Sequence, residues 1–188
     1  MNKFLKTVLS SIESGKITSV YSHSNIIDGI NIKQDCSGFV GWALGETGKL
    51  RALAEIRSIL KNNNFLKTNR FYCQDFDLLV SKQSNIQYWK FLSPPQVEQG
   101  DIFIVVFEDN NGHCGFIDSI KRISNTEFVL RIIDSTKYPH KNDSRNNGTT
   151  GIGIGDIKLS KTNSDWIYDS QNASKLPCPA KLYFVRPV

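Results

Sequence analysis

The stretch that decides the fold runs from Gly100 to Phe107 and reads Gly-Asp-Ile-Phe-Ile-Val-Val-Phe. A continuous apolar run behind a Gly-Asp turn is typical of a strand that is buried on both faces. Pro94 and Pro95 break the chain just before this stretch, and the character of the sequence changes there. The second half of the chain is therefore predicted to form a sheet.

Turn residues divide the sequence after this strand into further strands. Asp109-Asn110-Asn111-Gly112 predicts a turn, and residues 113–121 and 127–134 predict two strands that flank a second turn at Asn125. The polar segment 135–150 predicts a long loop, and residues 151–159 and 181–186 are the last strand candidates. The alternating glycines from Gly151 to Gly155 indicate close backbone packing rather than a dinucleotide site, because the sequence continues as a strand.

The first half of the chain shows helical periodicity. Apolar spacing predicts helices over residues 3–14, from Cys36 to about Gly45 or Gly48, over 50–60 and over 70–80, whereas residues 16–35 are predicted to be irregular. Helices followed by an antiparallel meander indicate an α+β fold, with N-terminal helices packed on an antiparallel β-sheet. One domain over residues 1–188 is the simplest organisation.

Composition narrows the classes of partner and compartment. Hydrophobic residues make up 39% of the 188 residues and charged residues 22%, as in soluble globular proteins. The net charge of +5 is dispersed, so we expect no nucleic-acid partner. Since neither a signal peptide nor an apolar run of ~20 residues is visible, we expect no membrane insertion, and a location in the cytoplasm or export by a non-Sec route. A monomer is the default expectation.

Cys36 is the strongest candidate for a reactive residue. It follows Asp35 and precedes Ser37 and Gly38, at the start of a predicted helix. A cysteine in the first turn of a helix meets unpaired N–H groups and the positive end of the helix dipole, and both favour the thiolate. The alternative is a buried cysteine that only fills space. The four cysteines form no C-x-x-C pair, so we expect reduced thiols, no metal and no cofactor.

A thiolate nucleophile needs a base and a group that orients the base. His113, at a boundary between turn and strand, is the best candidate base among His23, His113 and His140. Asp134 ends a neighbouring predicted strand and could accept a hydrogen bond from the far ring nitrogen of His113. The alternatives are a histidine that caps a hairpin and an aspartate that begins a turn. His140 could replace Asp134 or contact the substrate.

The segments Asp35–Val40, Gly100–Phe103 and Gly112–Phe116, in this order, resemble the motifs of the NlpC/P60 cysteine peptidases. This family has a papain-like fold and commonly cuts bacterial cell-wall stem peptides. The resemblance implies Cys36 as nucleophile, His113 as base and Asp134 at the third polar position, where the family more often has histidine, asparagine or glutamine. It also implies Tyr21 as an oxyanion donor, although the two glycines that follow this tyrosine in the family are absent.

The sequence thus predicts a cysteine-dependent hydrolase of an amide or peptide bond. A peptide or cell-wall-derived substrate is expected, contacted by Ser37, His140 and Arg145. An acyltransferase or deamidase that acts on a lipid or protein is the alternative within the same chemistry. A catalytically inactive binding domain is the alternative from another class of protein.

Overall fold

The computed structural model describes residues 1–63, 70–82, 86–145, 149–162, 165–172 and 175–188. The helices in these residues are α1 (Asn2–Glu13), α2 (Cys36–Glu46), α3 (Leu50–Asn62) and α4 (Asp75–Ser81). The strands are β1 (Thr18–Val20), β2 (Ile26–Asp28), β3 (Asn31–Lys33), β4 (Trp89–Leu92), β5 (Ile102–Phe107), β6 (Gly112–Arg122), β7 (Glu127–Thr136), β8 (Gly151–Lys161), β9 (Trp166–Asp169) and β10 (Cys178–Pro187).

The main sheet closes on itself as a six-stranded antiparallel β-barrel. Its strand order is β10-β5-β6-β7-β8-β9, and β9 pairs back onto β10 with Tyr168 opposite Cys178. Strand β4 pairs with β10 on the same edge as β9 does, but at the C-terminal end of β10. The predicted papain-like fold, with helices packed on an open antiparallel sheet, is therefore wrong, because closure leaves the sheet without the two free edges of an open layer.

Side chains that alternate along the barrel strands point to opposite faces and belong to two separate hydrophobic cores. One set of side chains fills the barrel and includes Phe103, Val105, Ile132 and Leu159. The residues between them, such as Ile104, face outward and join a second core with the helices. Strand β5 thus has a core on each face, and this explains its continuous apolar sequence.

The helices lie against the outside of the barrel. Each predicted helix is present, and α2 packs on β6 and β7. Residues 16–35 were predicted to be irregular, but they contain a small sheet of order β1-β3-β2. Strands β4 and β9 were also not predicted. No helix in the described parts of the chain has the length and apolar character needed to cross a bilayer.

Candidate active site

The candidate site lies at the end of the barrel where β5 and β7 end and β6 and β8 begin. A cavity of about 390 Å³ opens there. Its lining includes Tyr21, His113, Tyr138, His140, Tyr168 and Cys178. The long loop after β7 contributes to the wall of this cavity. The start of β6 and the end of β7, which the sequence predicted to lie at the same edge of the sheet, therefore both border it.

His113 and Asp134 form the hydrogen bond that the sequence predicted. His113 Nε2 lies 2.5 Å from Asp134 Oδ2, and Asp134 is fully buried. Burial alone would lower the pKa of His113, but the hydrogen bond to Asp134, a second one to Cys36 and the negative charges of both groups raise it to about 10. The ring is therefore an imidazolium at neutral pH. Since Asp134 occupies Nε2, Nδ1 is the ring nitrogen that remains for Cys36.

Cys36 is the first residue of α2. Asp35 caps this helix, since its Oδ1 accepts the N–H of Gly38 at 2.8 Å. Hydrogen bonds from the Cys114 and Cys73 thiols, and then the hydrogen bond and charge of His113, outweigh burial and hold the pKa of Cys36 well below its usual range. The directions of both pKa shifts thus favour a thiolate at Cys36 beside an imidazolium at His113. Cys36 itself is only 7% exposed.

Three buried cysteines meet at this point. The sulfur atoms of Cys36, Cys73 and Cys114 all lie within 4.8 Å of one another. The Cys114 thiol alone would lower the pKa of Cys73, but the hydrogen bond of Cys73 to Cys36, burial and the negative charge of Cys36 raise it well above its usual range. Burial, followed by the hydrogen bond to Cys36, raises the pKa of Cys114 as well. One thiolate therefore accepts hydrogen bonds from two neutral thiols.

Asp134 is held by cationic side chains from the loop that follows β7. His140 Nε2 lies 2.7 Å from Asp134 Oδ2, and Arg145 Nη2 donates to Asp134 Oδ1 at 3.0 Å. Burial would raise the pKa of Asp134, but the charges of Arg145 and His140 and the hydrogen bonds from both histidines hold it well below its usual range. The carboxylate is thus permanently charged at neutral pH, and both oxygens are occupied by donors.

His140 and Arg145 support this carboxylate from within the protein. His140 Nδ1 lies 3.2 Å from the carbonyl oxygen of Ser170 while Nε2 faces Asp134, so both ring nitrogens face oxygen atoms of the protein. Arg145 Nε donates to Asp143 Oδ1 at 2.7 Å, and Nη1 donates to the carbonyl oxygen of Gly151 at 2.7 Å. Arg145 was predicted to contact substrate, but it is buried beside Asp134 and does not line the cavity next to His113.

Two glycines of β8 make room for this loop inside the barrel. A Cβ on Gly153 would lie 2.6 Å from Arg145 Nε, and one on Gly155 would lie 2.7 Å from Asp143 Oδ2. Side chains at these positions would therefore displace the groups that hold Asp134. The predicted close backbone packing in this glycine-rich segment is confirmed.

The other predicted site residues lie on the α2 side. Tyr21 lines the cavity. Burial, and then the negative charges of Cys36 and Asp35, raise the pKa of its hydroxyl. The hydroxyl therefore keeps its hydrogen at neutral pH and can donate a hydrogen bond. Ser37 was predicted to contact substrate, but it is buried and its hydroxyl donates to Asp35 at 3.2 Å. The other oxygen of Asp35 binds His23 Nδ1 at 2.9 Å and Arg70 Nη1 at 2.7 Å.

Gly115 sets how closely β6 approaches Asp134, and we expect Gly115→Ala to lower the free energy of unfolding by about 1–3 kcal/mol. A Cβ there would lie 2.8 Å from both the Asp134 Cβ and the Ile133 carbonyl oxygen. Gly45→Ala is the matched control, since its Cβ would meet nothing within 4 Å and the helix should gain up to about 1 kcal/mol. Urea unfolding measures both, and equal stabilities of the two variants would contradict the packing argument.

Two groups of side chains gather metal-ligating atoms within the described residues. They are the three thiols and the group of His113, Asp134 and His140, whose ligand atoms also lie within 4.8 Å of one another. In the second group the ring nitrogens that face Asp134 carry hydrogen and are engaged with the carboxylate. The group fits a hydrogen-bond network better than an ion site. The expectation of no metal and no cofactor stays a prediction.

Sequence reasoning missed Cys73, Tyr168 and the ion pair between Asp35 and Arg70. Cys73 lies far from the other cysteines in sequence, and no spacing rule connects them. The ring centroid of Tyr168 lies 6.2 Å from that of His113, and Tyr168 belongs to β9, a strand that was not predicted.

The chain matches no protein-family model, no curated protein and no solved structure.

Proposed function

We propose that this protein is a cysteine-dependent hydrolase of an amide or peptide bond, with Cys36 as nucleophile and His113 as general acid and base. The observation that carries the proposal is the hydrogen bond between His113 Nε2 and the buried carboxylate of Asp134, next to Cys36, whose pKa is lowered by its neighbouring thiols and by His113. A nucleophile, a base and an orienting group in this order are the requirement for acyl transfer. The proposal rests on these side chains, independently of the fold.

The reaction would begin with attack of the Cys36 thiolate on the substrate carbonyl carbon. The backbone N–H of Cys36 and the Tyr21 hydroxyl are the candidate donors to the oxyanion. The His113 imidazolium gives its proton to the leaving amine, and the neutral ring then removes a proton from the water that hydrolyses the thioester. Asp134 keeps Nε2 protonated, so that Nδ1 is the nitrogen that exchanges the proton.

The motif resemblance makes a cell-wall stem peptide the first substrate to test. Purified muropeptides are incubated with the protein, and rapid acid quenching followed by intact-mass analysis detects a thioester on Cys36 while chromatography detects released peptide. We expect both products, and neither of them in Cys36→Ala. A thioester with transfer to an added amine and no hydrolysis would identify an acyltransferase instead. Released peptide from the Cys36→Ala variant would overturn the assignment of the nucleophile.

A further inference from the structure

A cysteine hydrolase needs one sulfur atom, yet three are packed together beside the imidazole. Cys73 and Cys114 form no bond with the substrate in the proposed hydrolysis, and a serine hydroxyl at either position could also donate a hydrogen bond to Cys36. Both are buried with Cys36, and the three sulfur atoms lie within 4.8 Å of one another. A thiolate with a neutral thiol in contact is the arrangement in which an oxidised sulfur can be captured before it reacts further.

We propose that Cys36 is a peroxide-sensitive thiol and that Cys73 is its resolving cysteine, so that oxidation converts the pair to a reversible disulfide. The inference depends on the same Cys36 thiolate as the proposed hydrolase but on no substrate. Oxidation would remove the nucleophile, and reduction by a thiol would restore it.

The positions of the two neighbouring thiols favour Cys73 over Cys114. Disulfide formation requires the sulfur atoms to approach to about 2 Å, which from 4.8 Å or less is a movement of up to about 3 Å. Cys114 lies within β6, opposite Ile104 of β5, and the strand ladder holds its backbone. Cys73 lies in the turn that precedes α4, outside any helix or strand. Its backbone can shift without the loss of sheet hydrogen bonds.

Packing keeps Cys73 close to the site until that shift occurs. A Cβ on Gly112 would lie 2.5 Å from the Cys73 Cβ, so the bare backbone of β6 is what allows Cys73 to sit beside Cys36. The Tyr72 N–H donates to Asp75 Oδ2 at 2.6 Å and fixes the turn at the start of α4. Residue Cys73 is therefore held in contact with Cys36 by its neighbours in sequence and by the strand behind it.

The chemistry is balanced with hydrogen peroxide as oxidant. The Cys36 thiolate attacks one peroxide oxygen, the O–O bond breaks, and the leaving hydroxide takes a proton from the His113 imidazolium to form water. Cys36 is now a sulfenic acid, oxidised by two electrons, and His113 is neutral. The Cys73 sulfur then attacks the Cys36 sulfur, the S–O bond breaks, and the departing hydroxide leaves as water with the Cys73 proton. The products are the disulfide, two waters and neutral His113.

The experiment is a peptide map of the reduced protein after brief treatment with hydrogen peroxide. Trypsin places Cys36, Cys73, Cys114 and Cys178 in separate peptides, residues 34–49, 71–82, 91–121 and 176–181. We expect peptides 34–49 and 71–82 to be linked, with a mass about 2 Da below their sum, and separated by dithiothreitol. In Cys73→Ala, Cys36 should advance to sulfinic acid, a gain of about 32 Da that dithiothreitol does not reverse. In Cys178→Ser the link should form as in the wild type.

Two results would overturn the inference, and both come from the wild-type protein, so the folding of a variant does not affect them. The first is a link from peptide 34–49 to peptide 91–121 in place of 71–82. The second is sulfinic acid at Cys36 while Cys73 is still free to react with maleimide. The peptide map needs no turnover, so failure of the disulfide and failure of the proposed hydrolase are separate outcomes.

Discussion

Asp134→Asn is expected to lower the free energy of unfolding at pH 7 by about 3–5 kcal/mol, since it removes the negative charge to which three buried side chains donate hydrogen bonds. The carboxylate accepts hydrogen bonds from His113, His140 and Arg145 together. An asparagine offers one oxygen and an NH₂ group, so at least one of these donors would face another donor. Denaturant unfolding followed by tryptophan fluorescence measures the loss.

The same variant should also change how stability depends on pH. The pKa of Asp134 is lower in the folded chain than its ordinary value of 3.8. Its ionisation therefore stabilises the fold above pH 3.8, and this contribution is lost as the pH falls through the folded value. The wild-type free energy of unfolding should decline over this acid range, and Asp134→Asn should lack that part of the decline.

Asp156→Asn is the matched control for the loss of a carboxylate. Asp156 is paired with Arg131 at 2.9 Å, but that pair is partly exposed to solvent. We expect its loss to cost no more than about 1 kcal/mol. Equally small losses in the free energy of unfolding for Asp134→Asn and Asp156→Asn would contradict the claim that Asp134 stabilises the buried side chains around it.

Single helices, helix caps and strands could be predicted, because interactions between residues close in sequence determine them. The apolar run from Ile102 to Phe107 has a core on each face of β5, and the helix at Cys36 begins where Asp35 caps it. The pairing of His113 with Asp134 followed from two adjacent antiparallel strands whose ends meet at one edge. These inferences needed only periodicity, caps and strand order.

Closure of the barrel could not be predicted, since it depends on one short pairing between distant segments. Strand β9 covers only Trp166–Asp169, and only Tyr168 of its residues is buried, so its sequence lacks the alternation of a half-buried strand. Its partner β10 begins at Cys178-Pro179, where proline is unfavourable in a central strand. The strands β1, β2 and β3 are three residues each and mostly exposed, and for this reason they showed no periodicity.

The roles of individual polar residues were the hardest to assign. A polar loop after a strand indicated a surface that faces the substrate, and Arg145 was assigned to it. The loop instead folds back into the barrel, because Gly153 and Gly155 leave space there. The contact of Cys73 with Cys36 likewise arises from tertiary packing, as Cys73 lies in a turn far away in sequence.

The pairing of Cys36 with His113 gives the second large effect, which is on the rate of Cys36 alkylation. In the folded protein, hydrogen bonds from Cys114 and Cys73, together with His113, should keep Cys36 a thiolate at pH values well below the ordinary range of a thiol pKa. His113→Ala removes the positive charge and the hydrogen bond, so the pKa should rise by at least one unit, and the pH at which alkylation reaches half its maximal rate should rise by the same amount. Cys178 is an internal control, because burial raises the pKa of its thiol and it should react slowly at pH 6 in both proteins.

The most direct measurement is therefore the rate of iodoacetamide labelling of Cys36 between pH 4 and pH 10, read from the tryptic peptide of residues 34–49 in wild-type and His113→Ala proteins. We predict a wild-type rate that is already at its plateau at pH 7, with an inflection that moves upward in the variant. A wild-type inflection near the ordinary ~8.5 of a free thiol, unchanged in the variant, would contradict the thiolate–imidazolium pair.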